Sequence, residues 1–218
     1  MAKRRKVGNL LALSLLSLLA QRPMYPYEMA QTLRARGKDQ NFTINWGSLY
    51  TVVANLGKYG FIEEAGTVRE GRQPERTTYQ ITDTGRAELK DWLRELLSEP
   101  GREYTRFEAA LGECSILGPD ELAGLLRQRL GALEEATAVH QEMLDAMEAQ
   151  LPRLFLIESE YQLALRRAEA EWVRGLLTEL TDGTFPGVEA WRRYHETGEF
   201  PAEFIPSLNQ EGEPAAGS

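Results

Sequence analysis

Two long stretches of apolar residues at alternating three- and four-residue intervals constrain this chain more than any other feature. From Asp120 to Gln150 the spacing runs through Leu122, Leu126, Leu130, Leu133, Ala136, His140, Met143 and Met147, and Leu151 continues it. After a break at Pro152, a second stripe carries Leu154, Ile157, Tyr161, Leu165, Ala168, Trp172, Leu176 and Leu180. Such spacing keeps residues on one helix face, with a coiled-coil-like seam. Two helices of this length cannot bury both stripes on so small a body. The pattern therefore predicts a homodimer.

The first hundred residues read differently. Residues 9–20 predict a helix that is apolar almost all round, as in a helix covered on several sides. A basic start before an apolar run also fits a secretory leader. The run is nevertheless far short of the roughly 20 residues that span a bilayer, and it lacks a clean small-residue cleavage site. A buried helix accounts for it, with no membrane partner. The stretch "QRPMYP" ends that helix, because a residue before proline is turned away from helical backbone. A second helix is expected from Pro26 to Arg36, with Gly37 as its stop. A third is expected from an N-cap at Asn45 to a terminator at Gly60. The segments "FIEEAG" and "TTYQIT" read as strands, separated by "TVREGRQPER" as an extended loop. A fourth helix runs from Asp83 to about Ser98.

The Pro-Gly break in "SEPGRE" sets the expected domain boundary, giving domains of residues 1–98 and 99–182 and an extension of residues 183–218. Within the second domain, "YTRFEAALGECSIL" reads as one helix before the long pair. The extension holds one short candidate helix, "PGVEAWRRYH", and its end, "NQEGEPAAGS", is expected to be disordered.

Charge divides at the same place. Residues 1–97 hold 15 Lys and Arg against 10 Asp and Glu, a net charge of +5. Residues 98–218 hold the remaining 10 against 23, a net charge of −13. The first half is suited to a polyanion and the second is not. The overall charge of −8 conceals this. A lone cysteine, Cys114, rules out an internal disulfide framework and suits a reducing, cytoplasmic setting. His140 and His195 lie far apart, no Cys/His cluster has zinc spacing, and no phosphate loop or nucleophile elbow is present. The sequence offers no catalytic residue, metal site or cofactor site.

The third helix carries the functional signal. Leu49, Val52, Val53 and Leu56 share one face, at i, i+3, i+4 and i+7. The other face carries Tyr50, Thr51, Ala54, Asn55 and Lys58, and no acidic residue occurs between Asn45 and Tyr59. Hydroxyl and amide groups donate to phosphate oxygens and read base edges, whereas glutamate would be repelled. Asn45, Trp46, Ser48, Tyr50, Thr51 and Asn55 are therefore candidate DNA contacts. Arg69, Arg72 and Arg76 in and beside the loop are candidate wing contacts, and Lys3, Arg4, Arg5 and Lys6 suit a phosphate-contacting arm.

In order and spacing, "LLALSLLSLLAQRPMYPYEMAQTLRAR", "INWGSLYTVVANLGKYGFI" and "GRQPERTTYQITDTG" resemble the winged helix-turn-helix of the PadR family of transcriptional regulators. The carriers are Pro23-Met24 with Tyr27-Glu28, Gly47-Ser48-Leu49-Tyr50, Gly60, Gly71-Arg72, Tyr79, and Thr82 with Gly85. The chain departs from the family pattern at Tyr25-Pro26, where His-Gly is usual, at Thr51, where proline is frequent, and at Gly57, where glutamate is common. Tyr25 joins the candidate DNA contacts by its place in this pattern.

The resemblance implies a mainly α fold: a winged helix-turn-helix with a small β-hairpin wing, followed by a long-helix dimerisation domain. It also implies a homodimeric regulator on double-stranded DNA, most simply a repressor released by a small-molecule effector. Trp92, His140, Phe155, Tyr161 and Trp172 are candidates for an effector cavity or dimer core, since small-molecule sites are apolar with a few polar anchors. A protein–protein adaptor on the same scaffold is the alternative. Salt separates the two, because DNA binding weakens steeply through counterion release and an apolar helix-in-groove contact does not.

Overall fold

The computed structural model describes residues 5–38, 46–68, 76–101 and 103–199. The chain divides into two compact units, residues 1–103 and 104–218. The expected third helix, here Trp46–Lys58, and the antiparallel strand pair are both present, and each unit has its own core.

In the first unit, α1 (Leu10–Leu19) is followed by α2 (Pro26–Ala35) and α3 (Trp46–Lys58). Strands β1 (Ile62–Val68) and β2 (Arg76–Ile81) then pair antiparallel, and α4 (Asp83–Ser98) closes the unit. Asn9 starts α1, its Oδ1 accepting the Leu11 N–H at 2.8 Å, a common way to satisfy a helix-end donor. The apolar run is core: Leu11, Leu15, Leu16, Leu18 and Leu19 are all fully buried, with Leu49 and Leu56 of α3 in the same cluster. Each such leucine contributes roughly 1.5–3 kcal/mol relative to exposure. Gly37 and Gly60 take left-handed backbone, φ 68° and 71°, just beyond α2 and α3, as helix stops require.

In the second unit, α6 (Pro119–Glu148) and α7 (Ile157–Asp182) form an antiparallel pair, preceded by α5 (Arg106–Gly112) and followed by α8 (Val188–Thr197). One sequence expectation changes here. Residues 104–117 are not one helix. The helix ends at Gly112, and Cys114–Ile116 form a 3-10 turn whose Ser115 carbonyl accepts the His195 Nε2–H at 3.1 Å. In the expected extension, the candidate helix is present as α8 and packs onto this unit. Val188 and Trp191 of α8 are buried with Leu122, Leu126, Val173 and Leu180, and Arg192 pairs with Asp120 at 2.9 Å.

The α7 stripe is covered only in part within the unit. The residues buried within the unit are Leu163, Ala170, Val173 and Leu180, while Tyr161, Leu165 and Trp172 are more than half exposed. On α6 the interior takes Leu122, Ala123, Leu126 and Leu144, and Val139 and Met143 face outward. Both long helices thus carry a second apolar flank, and exposed polar pairs join them beside their contact. Arg174 meets Glu134 at 2.7 Å, and Arg167 meets Gln141 at 2.6 Å.

Candidate nucleic-acid interface

Helices α2 and α3 and the β1–β2 hairpin position the candidate interface. The inward face of α3 is the expected one, with Leu49, Val52, Val53 and Leu56 all buried. That packing turns Tyr50, Thr51, Ala54 and Lys58 outward, leaves Ser48 and Asn55 half-buried, and gives an outward face without a carboxylate. Tyr50 is 54% exposed on this side. Thr51 differs from expectation: its Oγ1 donates to the Gly47 carbonyl at 2.7 Å. Its proton is therefore committed to its own helix, and Thr51 offers a methyl and a lone pair. Trp46 begins α3. Asn45, Arg69, Arg72, Lys3 and Arg4 lie outside the described residues.

The basic arm splits in role. Arg5 is not a phosphate contact: its side chain is 4% exposed, bound to Glu88 at 2.6 Å and to Glu95, with Asp91 at 3.5 Å. The guanidinium also covers the Trp92 ring at 5.4 Å. Burial opposes the charge on Arg5, but hydrogen bonds to Glu88 and Glu95 outweigh it and hold the pKa above the ordinary value. Arg5 thus ties the arm to α4. Lys6, one residue on, is exposed, and its Nζ lies 5.6 Å from the Tyr59 ring; Lys58 Nζ lies 5.8 Å from the same ring. Lys58 stands on the same outward face of α3 and was not among the expected contacts.

Arg76 opens β2 and lies over two rings from the start of α2, Tyr25 at 4.9 Å and Tyr27 at 5.7 Å. Sequence reasoning named Tyr25 and Arg76 separately and missed Tyr27. Their proximity depends on strand pairing, which no local motif displays.

The other candidate set does not converge. Trp92 is buried in the core of the first unit beneath Arg5. Phe155 and Tyr161 are 70% and 63% exposed. Trp172 meets Phe107 edge-on at 6.1 Å, and Phe107 lies under the Arg129 guanidinium at 3.6 Å. An open depression of about 330 Å³ is lined by Phe185, Val188, Ala190 and Arg193, and another of about 310 Å³ by Glu148, Leu151, Leu156 and Glu160. Neither is lined by His140, Phe155, Tyr161 or Trp172.

His140 has a defined tautomer. Arg166 Nη1 donates to its Nδ1 at 2.8 Å, so Nε2 carries the proton and donates to Ser159 Oγ at 2.6 Å. A histidine donating to a serine cannot take that serine's proton, so the pair is no nucleophilic dyad. Burial, and then the Arg166 charge, lower the His140 pKa below 6.5. The unfolded chain then binds a proton that the folded chain refuses. The stability from this group is complete above about pH 6.5 and is lost as pH falls through the lower folded value. Thermal unfolding should therefore lose less temperature between about pH 7 and pH 5.5 in His140→Gln than in wild type. Equal losses would locate the acid sensitivity elsewhere.

Among the described residues, no group of His, Cys, Asp and Glu could hold a metal ion. No helix among them is long and apolar enough to cross a membrane.

A helix pair whose second member presents an acid-free face, flanked by an antiparallel hairpin and backed by a further helix, is a winged helix-turn-helix. Residues 15–91 match the model of the Transcriptional regulator PadR-like family. The matched residues lie within the first unit. No curated protein matches the chain. Among solved structures, Bacillus subtilis PadR in complex with operator DNA superimposes with a TM-score of 0.67 at 20% identity, covering 79% of this chain and 99% of that one. The same protein in complex with p-coumaric acid gives 0.66 at 18% identity, with coverage of 79% and 99%. The Vibrio cholerae virulence activator AphA gives 0.57 at 22% identity, covering 79% and 98%. These likenesses extend the shared fold from the winged helix into the long-helix unit.

Proposed function

We propose that this protein is a sequence-specific, DNA-binding transcriptional regulator, a ligand-responsive repressor that acts as a cytoplasmic homodimer on a palindromic operator. The observation that carries the reading is the outward face of α3, which is free of carboxylates and held in place by four buried aliphatic residues. In a helix-turn-helix the second helix enters the major groove, and the hairpin touches backbone or the neighbouring minor groove. Two-fold symmetry then requires half-sites one or two helical turns apart. The outward apolar flanks of α6 and α7 supply the surface for a second copy. The solved relatives bound to operator DNA and to p-coumaric acid support both a DNA partner and a small-molecule effector. An effector releases DNA only if it binds the two dimer conformations with different affinity. The family consists of transcription factors, and the proposal assigns no catalysis to the chain.

The test is fluorescence anisotropy of a labelled fragment from upstream of this protein's own gene, against a scrambled competitor at two salt concentrations. Selective, salt-sensitive binding supports the reading. Binding of a partner protein without DNA binding would favour the adaptor. Tyr50→Ala combined with Arg72→Ala should weaken operator binding by about 100-fold or more while leaving the dimer mass unchanged. Loss of the dimer would instead mark these side chains as structural.

A further inference from the structure

Residues 5–7 point alternately into and out of the first unit. Arg5 turns inward, with Glu88, Glu95 and the Trp92 ring of α4 around its guanidinium. Val7 turns inward as well, into the core that holds Leu56 of α3. Lys6, between them, is exposed. Held on both sides, it has little choice of direction, and its Nζ lies 5.6 Å from the ring of Tyr59, just beyond α3. Lys58, the last residue of α3, brings its own Nζ to 5.8 Å from that ring. Both distances are within the roughly 6 Å at which an aromatic face attracts a cation. Among the described residues, no carboxylate forms an ion pair with either lysine. Two like charges drawn to one ring repel each other, and an anion within reach of both relieves that repulsion.

We propose that Arg5 is a positioning residue: with Val7 it pins the arm so that Lys6 and Lys58, paired beside Tyr59, grip one DNA phosphate at the far end of α3. The proposal rests on the DNA-binding reading above and deepens it. The 13 residues of α3 make a helix about 20 Å long, longer than the roughly 12 Å width of a major groove. When its first turn reaches base edges, its last turn therefore stands at the phosphate rim. Burial assigns the two roles within the basic run. Carboxylates neutralise Arg5, which anchors, whereas Lys6 is exposed and keeps its charge for phosphate. An aromatic face holds a cation without cancelling that charge, and a held cation loses less freedom on binding. The helix dipole favours Lys58 at the end of α3, but it gives no reason for a second lysine, from the arm, beside the same ring.

The test is anisotropy titration of the full-length protein with a random-sequence duplex at several low salt concentrations, because a phosphate contact is independent of sequence. Lys6→Ala and Lys58→Ala should each weaken binding. Together they should reduce the salt slope by about one, since they share one phosphate. Arg5→Met with Glu88→Gln loosens the anchor and leaves the net charge unchanged. It should weaken binding about threefold where Lys6 is present and add nothing in the Lys6→Ala background. If it costs as much without Lys6 as with it, Arg5 serves the fold and not the arm, and its positioning role is overturned. If the double lysine variant keeps the wild-type slope, or loses about two, the shared grip is overturned while the DNA-binding reading stands. If wild type binds neither this duplex nor the upstream fragment, that reading falls and the grip falls with it.

Discussion

Gly85→Ala should lower the unfolding temperature of the winged helix by about 10–20 °C, as an overpacked site costing roughly 3 kcal/mol in a unit of this size would. A Cβ at Gly85 would stand 2.0 Å from the Phe61 carbonyl oxygen and 2.9 Å from Ile81 Cγ1. The first neighbour cannot move aside cheaply. The Phe61 carbonyl accepts the Thr82 N–H at 3.1 Å, and the Phe61 N–H donates to Leu56 at the end of α3. Thr82 is fixed in turn. Its Oγ1 donates to the Gly60 carbonyl at 2.7 Å and accepts the Gly85 N–H at 3.0 Å. The pattern Thr82-x-x-Gly85 therefore does two things at once: it caps α4 and lets the helix start against the β1 entry. Scanning calorimetry is the measurement. Gly57→Ala is the control, since a Cβ there meets nothing within 4 Å; a helical glycine in open space should gain up to about 1 kcal/mol as alanine. If Gly85→Ala melted with wild type, the close approach of α4 to the hairpin would be wrong.

The second large effect concerns the long helices. Tyr161→Glu with Leu165→Glu should convert the protein to a monomer in sedimentation velocity, with helix content and unfolding temperature of the separate chain retained. Both side chains are more than half exposed, so charging them costs the isolated fold little. In an apolar interface the same charges would be buried without partners. Operator affinity should fall by at least about 100-fold, because two linked half-site contacts become independent ones. An unchanged dimer would remove this flank of α7 from the interface. A monomer that kept full affinity would remove dimerisation from the mechanism of recognition.

Local pattern was enough to read most of the N-terminal unit. The face of α3 containing Leu49, Val52, Val53 and Leu56 is a matter of helical period, and Gly37 and Gly60 stop their helices for reasons of backbone geometry alone. The split of charge, +5 against −13, likewise needed no coordinates. Motifs fared less well where a residue type serves two purposes. Arg4 and Arg5 are adjacent in one basic run, yet Arg5 is consumed by Glu88 and Glu95, more than eighty residues away. Thr51 stands on the expected face, but its proton is spent on Gly47.

The long helices show the limit most plainly. The stripe from Tyr161 through Leu165 to Trp172 is helical, as its period requires, but period does not say which of two apolar flanks turns inward. Val173 and Leu163 were chosen by the packing of α7 against α6, and by the seating of Val188 and Trp191 beyond it. Sequence by itself determined most of the helices and strands, the stops at Gly37 and Gly60, and which half is suited to a polyanion, because these depend on neighbours along the chain. Tertiary structure decided which charges are free, which flank of each long helix is left exposed, and that Tyr25, Tyr27 and Arg76 share one place, because those depend on partners that only folding brings within reach.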